Sequence, residues 1–278
     1  MNVLSLFDGM SCGQLALERA GIKVDNYFAS EVDKYAIKIA MKNYPNTIQL
    51  GDVRNVHAKD LPRIDLILAG SPCQGFSIAG KGLAFDDPRS VLFFEFVRLV
   101  NEFPDAYFLL ENVKMKKIYK DMITFFLKTA PVMINSALLS GQSRPRYYWS
   151  NFKFSQPHDL NIDCKSVIDW SNTEPNTDGW HRWWEKNKEK QRRKSFCGIL
   201  NTRGKSVCQI ARQVASWEGN LVDLSNGKLR FASPIECERL QTLPDGYTAG
   251  VSNTQRYKML GNGWTADVIA HILRHLPT

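Results

Sequence analysis

The chain is read as an α/β fold: a parallel sheet flanked by helices, interrupted late by a basic insertion. Three observations carry that reading. Short apolar runs alternate with helical patterns through the first half, the pattern lapses after about Phe154 and resumes near Pro234, and the positive charge is concentrated inside the lapse. With 278 residues the chain has room for one large α/β domain and a modest insertion, or for two small domains.

The elements follow in order. Val3–Phe7, Tyr27–Ser30, Leu66–Ala69 and Tyr107–Leu110 are short apolar runs of strand length. Leu15–Ala20, Lys34–Asn43, Val91–Phe103 and Ile118–Lys128 repeat apolar residues three and four apart, as helices do, and Ala266–Leu276 closes the chain in the same way. Strand–helix alternation implies right-handed crossovers, which bring the carboxyl ends of the strands to one rim. Between Gly179 and Val214 the alternation is absent. Ten basic residues there (Arg182, Lys186, Lys188, Lys190, Arg192, Arg193, Lys194, Arg203, Lys205, Arg212) face only Glu185 and Glu189. The surplus of eight equals the net charge of the whole chain, as expected of a binding face for a polyanion.

Composition narrows the class. Hydrophobic content of 44% is that of a globular protein. The six cysteines form no CxxC pair and have no neighbouring histidine set, which argues against structural zinc and against a secreted disulfide framework. The opening MNVLSLFDG reaches glycine too early for a signal peptide, and no apolar run approaches the roughly 20 residues of a membrane span. A reduced, cytoplasmic protein without membrane or metal partner is the expectation.

Ligands of open parallel sheets bind beyond the carboxyl strand ends. The first strand runs into Phe7-Asp8-Gly9-Met10-Ser11-Cys12-Gly13, whose glycines let the backbone approach a ligand ahead of a helix N-terminus. The second ends at Glu31, placed to bind two ribose hydroxyls, and Asp52 of Gly51-Asp52-Val53 suits an adenine amino group. Singly, each acid is more often a cap or a surface charge; together they point to a nucleoside-containing cofactor, without saying which. After Leu66–Ala69 comes Gly70-Ser71-Pro72-Cys73-Gln74-Gly75-Phe76-Ser77. A lone cysteine is usually a small core residue, but proline and glycines around this one signal a shaped loop, where backbone donors stabilise a thiolate. The next strand ends in Glu111-Asn112-Val113. Gln142-Ser143-Arg144-Pro145-Arg146 reads as extended chain whose two arginines point the same way, suited to an anionic or carbonyl-bearing substrate.

In order, Pro72-Cys73, Glu111-Asn112-Val113, Gln142-x-Arg144-x-Arg146 and Gly261-Asn262-Gly263 resemble the motifs of the cytosine-C5 DNA methyltransferases. FASEVD, GDVRNV, LFFEFVRL, PVMINS, RPRYYW and Trp264 are most similar to the de novo branch, in a chain of small prokaryotic or phage size. Three positions depart from the family pattern: Cys12 replaces the first of two adjacent glycines, Val32 replaces an aromatic, and Gly263-Trp264 stands where Ser usually follows Gly-Asn.

The resemblance implies a Rossmann-like S-adenosylmethionine-dependent methyltransferase fold, with a catalytic domain over 1–154 and 231–278 and a target-recognition region over 155–230. It implies catalysis by Cys73, Glu111, Arg144 and Arg146: Cys73 adds to the base, Glu111 holds it, Arg146 steadies the base carbonyl or Glu111, and Arg144 takes a phosphate. It implies a cofactor site at Phe7, Asp8, Gly9, Ser11, Cys12, Gly13, Glu31, Val32, Asp52, Val53, Pro72, Asn262 and Trp264, yielding S-adenosylhomocysteine. Double-stranded DNA is the expected partner of a monomer, read through Gln74, Ser77, Arg89, Arg203, Lys205, Gln209, Arg212 and Gln213, with a cognate restriction endonuclease as a functional partner. Rival readings are a tRNA cytosine methyltransferase, a catalytically silent DNA-binding relative, and an NAD-dependent oxidoreductase.

Overall fold

The structure is a computed structural model and describes residues 1–71, 91–172, 197–199, 204–213, 219–224 and 229–277. It divides into two compact units: Met1–Ile134 with Pro145–Gln156 and Ile269–Thr278, and Asn135–Arg144 with Pro157–Val268.

The first unit holds β1 (Asn2–Leu6), α1 (Cys12–Ala20), β2 (Asn26–Ser30), α2 (Lys34–Asn43), β3 (Ile48–Gln49), β4 (Leu66–Gly70), α3 (Val91–Glu102), β5 (Tyr107–Val113) and α4 (Lys117–Leu127), then β6 (Val132–Asn135) and β7 (Pro145–Ser150). Every strand and helix expected in this part of the sequence is present, with ends shifted by a few residues at most. The strands form one seven-stranded sheet in the order β3-β2-β1-β4-β5-β7-β6. The sheet is not wholly parallel, as expected from the alternation, because β7 runs antiparallel to β5.

Local chemistry sets the boundaries. Gly21, at φ 74, ends α1, its N–H and that of Ile22 closing onto Glu18 and Leu17 carbonyls in a left-handed helix cap. The Asp33 carboxylate caps α2 by accepting from Tyr35 N–H at 2.9 Å. The central strands are continuous apolar runs because both faces are covered. Leu4, Leu6, Ile67, Ala69 and Leu110 of the sheet are buried together with Phe93, Phe96 and Leu99 of α3, which recur every three residues on one helix face.

The second unit contains β8 (Cys197–Ile199), β9 (Gly219–Asp223) and β10 (Leu229–Phe231) in a small sheet, followed by α5 (Pro234–Leu240) and α6 (Asn253–Asn262); α7 (Ala266–Leu273) follows and closes the described helices. Helix α5 starts with a complete capping box, Ser233 and Glu236, and with Pro234 in its first turn. The same Glu236 forms a fully buried ion pair with Arg230 at 2.7 Å, and Arg230 also donates to the Asn172 and Asp169 carbonyls. Leaving either charge alone would cost several kcal/mol, so the pair stands or falls as one.

Gly261 is required by close approach. A Cβ there would lie 2.1 Å from the Ile210 carbonyl carbon and 2.2 Å from Ala211 N, both backbone atoms. Gly261→Ala is expected to destabilise the protein by roughly 3 kcal/mol or more, since the backbone has to move. A denaturation midpoint matching wild type would contradict that packing.

Candidate active site

At the carboxyl ends of β1, β2 and β3, backbone and carboxylate bonds tie the loops into one rim. Phe7, Gly9 and Ser11 have φ of 57, 61 and 64, so the chain after β1 turns through left-handed conformations. Around Gly9 no described residue lies within 4 Å of where a Cβ would be, leaving a bare backbone surface. The Gly9 N–H donates to Glu31 Oε2 at 2.8 Å, and Glu31 Oε1 accepts from the N–H groups of Val32 and Asp33. Three donors leave the carboxylate at least one further acceptor position. Ser30 Oγ bonds the Gly51 carbonyl at 2.7 Å, which joins the β2 end to the segment carrying Asp52.

Asp52 caps a short 3-10 turn and pairs with Arg54, whose side chain and N–H hold its carboxyl down at about 2. Val32 is 71% exposed and offers the rim an apolar surface beside Glu31. Phe7, Asp8 and Gly9 are half-buried, whereas Ser11, Cys12, Gly13 and Val53 are buried. Ser11, Cys12 and Gly13 shape the turn that leads into α1, and Val53 packs in the core. The loss of a glycine at Cys12 is accommodated because Cys12 is already the first residue of α1. Asn262, at the end of α6, is exposed, and Trp264 is half-buried.

The carboxyl of Asp8 is enclosed beneath this turn and accepts from Tyr27 Oη at 2.7 Å. Burial pushes it up to about 6, and hydrogen bonding from Ser5, Tyr27 and Ser11 offsets only part of that. Because the folded-state value lies above the ordinary carboxylate value, stability is greatest where the acid is protonated, and it falls as pH rises through about 6. Asp8→Asn is expected to stabilise the protein by up to about 3 kcal/mol above neutral pH and to give no gain near pH 4. Thermal melts at the two pH values check this; an equal shift at both would show that the carboxyl does not titrate as stated.

The second cluster lies where β5 meets β7. Glu111 faces Tyr148 across the ladder and Val113 faces Arg146, so Arg146 is the diagonal neighbour of Glu111 on the same face of the sheet. Its Nε reaches Glu111 Oε1 at 2.9 Å, with the two side chains only 12% and 11% exposed. Glu111 is one of the two partners foreseen for Arg146. On the other side of β5, Gly70 is paired with Glu111 in the parallel ladder. Pro72, Cys73, Gln74, Ser77 and Arg89 lie outside the described residues, as does Arg203.

Arg144 does not share the role of Arg146. It is 3% exposed and its guanidinium donates to the carbonyls of Gln209, Gly261 and Gly263 at 2.9–3.0 Å. Two of those carbonyls belong to the end of α6, where backbone acceptors lack helical partners. Arg144 is thus a strut under the Gly261-Asn262-Gly263 turn, its two terminal nitrogens engaged by backbone carbonyls. Gln142, fully buried, accepts from Gln209 N–H and donates to Leu240 O and Gln241 Oε1.

Three further residues expected to contact DNA are likewise engaged within the protein. Gln209 and Gln213 are buried, with Gln209 bound to the Cys237 carbonyl and Gln213 to the Cys237 sulfur. Lys205 spends its ammonium on the carbonyls of Ala137, Ser140 and Ile162. Arg212 is exposed. Among the described residues no group of three His, Cys, Asp or Glu side chains is placed to hold a metal ion, and no helix is long and apolar enough to cross a membrane.

A carboxylate-lined rim at parallel strand ends, with a sheet-end Glu–Arg pair, places the site where α/β nucleotide-binding enzymes hold their ligands. The family model for C-5 cytosine-specific DNA methylases matches residues 1–137 and 138–278. The chain is 32% identical over 297 residues to the Type II methyltransferase M1.ScrFI of Lactococcus lactis subsp. cremoris, covering 96% of this chain and 75% of the relative. It is 29% identical to M.HhaI of Haemophilus parahaemolyticus, covering 98% and 93%. Entamoeba histolytica methyltransferase EhMeth superposes with a TM-score of 0.76 at 18% identity, over 99% and 97% of the two chains, which shows the shared fold. The chain belongs to the C-5 cytosine-specific DNA methylase family and is a DNA cytosine-C5 methyltransferase.

Proposed function

We propose that the protein transfers a methyl group from S-adenosylmethionine to C5 of a cytosine flipped out of duplex DNA, with Cys73 as covalent nucleophile. The observation that carries this reading is the position of Glu111. It sits on β5, paired in register with Gly70 at the end of β4 and bound to Arg146. Three residues of chain span at most about 11 Å, so the thiol of Cys73 has the reach to act on a base held by Glu111.

C5 of cytosine is a weak nucleophile. Addition of the Cys73 thiolate to C6 makes C5 an enamine carbon able to take the methyl group. Glu111 holds the base at N3 and the exocyclic amine, and Arg146 fixes the direction of that carboxylate. After transfer, loss of the C5 proton lets the C6–S bond break and returns the Cys73 thiolate. S-adenosylmethionine, when bound, supplies an electrophilic sulfonium methyl and leaves as S-adenosylhomocysteine. The rim fits it: Glu31 offers a carboxylate to the ribose hydroxyls, Asp52 to the adenine amine, and exposed Val32 an apolar surface for the ring. Phe7, Gly9, Pro72, Asn262 and Trp264 complete the proposed contacts. We assign target recognition to residues 155–230, whose lysines and arginines would neutralise phosphates, and activity as a monomer, alone or beside a restriction endonuclease.

The covalent step is tested with duplex DNA carrying 5-fluorocytosine at the target, since fluorine does not leave as the proton does. The expected result is a complex stable to denaturing electrophoresis and dependent on S-adenosylmethionine. An enzyme that methylates ordinary DNA yet forms no such adduct would overturn the reading.

A further inference from the structure

We propose that Asn112 is a positioning residue for the nucleophile, acting through a buried hydrogen bond to Ser71; the proposal rests on the role given to Cys73. The backbone ladder between β4 and β5 ends with the pair Gly70 and Glu111. Beyond it β5 continues and, among the described residues, pairs only with β7 through Asn112 and Val113, while β4 ends at Gly70. Ser71 is the first residue past that fork and stands two positions before Cys73. Its Oγ receives a hydrogen bond from Asn112 Nδ2 at 3.0 Å.

Both residues are buried, Ser71 to 5% and Asn112 to 1% exposure, so water does not compete for the bond. The amide cannot turn over at no cost, because Asn112 Oδ1 is already used by the Val113 N–H at 2.8 Å. One side chain thus binds the strand end that carries Glu111 and the point at which the chain departs toward Cys73. The base-holding carboxylate and the root of the nucleophile segment are kept in fixed relation by a bond that touches neither substrate nor cofactor.

The test compares Ser71→Ala, Asn112→Ala, the double variant and Ser71→Thr, which keeps the hydroxyl. Single-turnover methyl transfer and the rate of 5-fluorocytosine trapping are measured with the affinities for S-adenosylmethionine and DNA. Ser71→Ala and Asn112→Ala are each expected to slow both rates by about 10- to 100-fold, the range associated with misplacing a reacting group by up to 1 Å. Both affinities stay within about twofold, the double variant is no slower than the slower single one, and Ser71→Thr recovers most of the rate. A folded Ser71→Ala enzyme as fast as wild type, or losses that multiply in the double variant, would overturn the proposal. Should Asn112→Ala fail to fold, the contrast between Ser71→Ala and Ser71→Thr decides alone. Wild-type enzyme that does not trap defeats the Cys73 reading and this proposal with it, whereas trapping unaffected by Ser71→Ala defeats this proposal only.

Discussion

Replacing Cys73 with serine is expected to abolish methyl transfer, by on the order of a thousandfold or more, while DNA and cofactor affinities stay close to wild type. An ordinary thiol ionises near pH 8.5, so a thiolate is within reach of working pH, whereas an alcohol stays protonated. The serine variant therefore has no anion to add to C6, and C5 remains unactivated. A cysteine acting only through packing would instead tolerate serine with a loss of stability and little loss of rate. Measured with tritiated methyl donor, turnover within tenfold of wild type would end the covalent mechanism.

The second large effect belongs to the Glu111–Arg146 pair. Glu111→Gln is expected to lower single-turnover methylation by about 10²- to 10⁴-fold, the usual worth of a positioned acid–base group. Arg146→Ala should reproduce much of that loss, since it frees the carboxylate held at 2.9 Å. The two losses should not multiply, because both remove one unit. Both side chains are nearly buried, so each single variant also leaves a partner without its counter-charge and should melt earlier. Independent effects on rate would mean that Arg146 contacts the substrate directly and does not work through Glu111.

How far the sequence carried these conclusions differs between kinds of residue. The strands β1, β2, β4 and β5 and helices α2 and α3 were legible because buried strands and amphipathic helices write their period into the chain. Glu111 and Arg146 were legible as a strand-end acid and an extended basic pair. The reversed direction of β7 was not, since alternation in sequence is silent on strand polarity. The packing of Arg144, Lys205, Gln209 and Gln213 was illegible for a single reason. Their side chains are those of DNA contacts, and only tertiary packing reveals that backbone carbonyls and a buried sulfur already occupy them. Arg54, which holds Asp52, and Tyr27, which holds Asp8, were not foreseen, because sequence does not tell which carboxylate a neighbouring side chain will meet. Pro72 through Ser90 lie outside the described residues, so Cys73 remains a reading of the sequence.

The three N–H groups gathered on Glu31 have a consequence for ligand capture. Three such bonds favour this shape of the rim over others, so an adenosyl donor held as proposed would meet a site already biased toward the competent conformer. Its apparent affinity would then carry little conformational penalty. Breaking those bonds at Gly9 or Glu31 would weaken binding twice over, by removing a direct interaction with the donor and by shrinking the fraction of molecules ready to receive it.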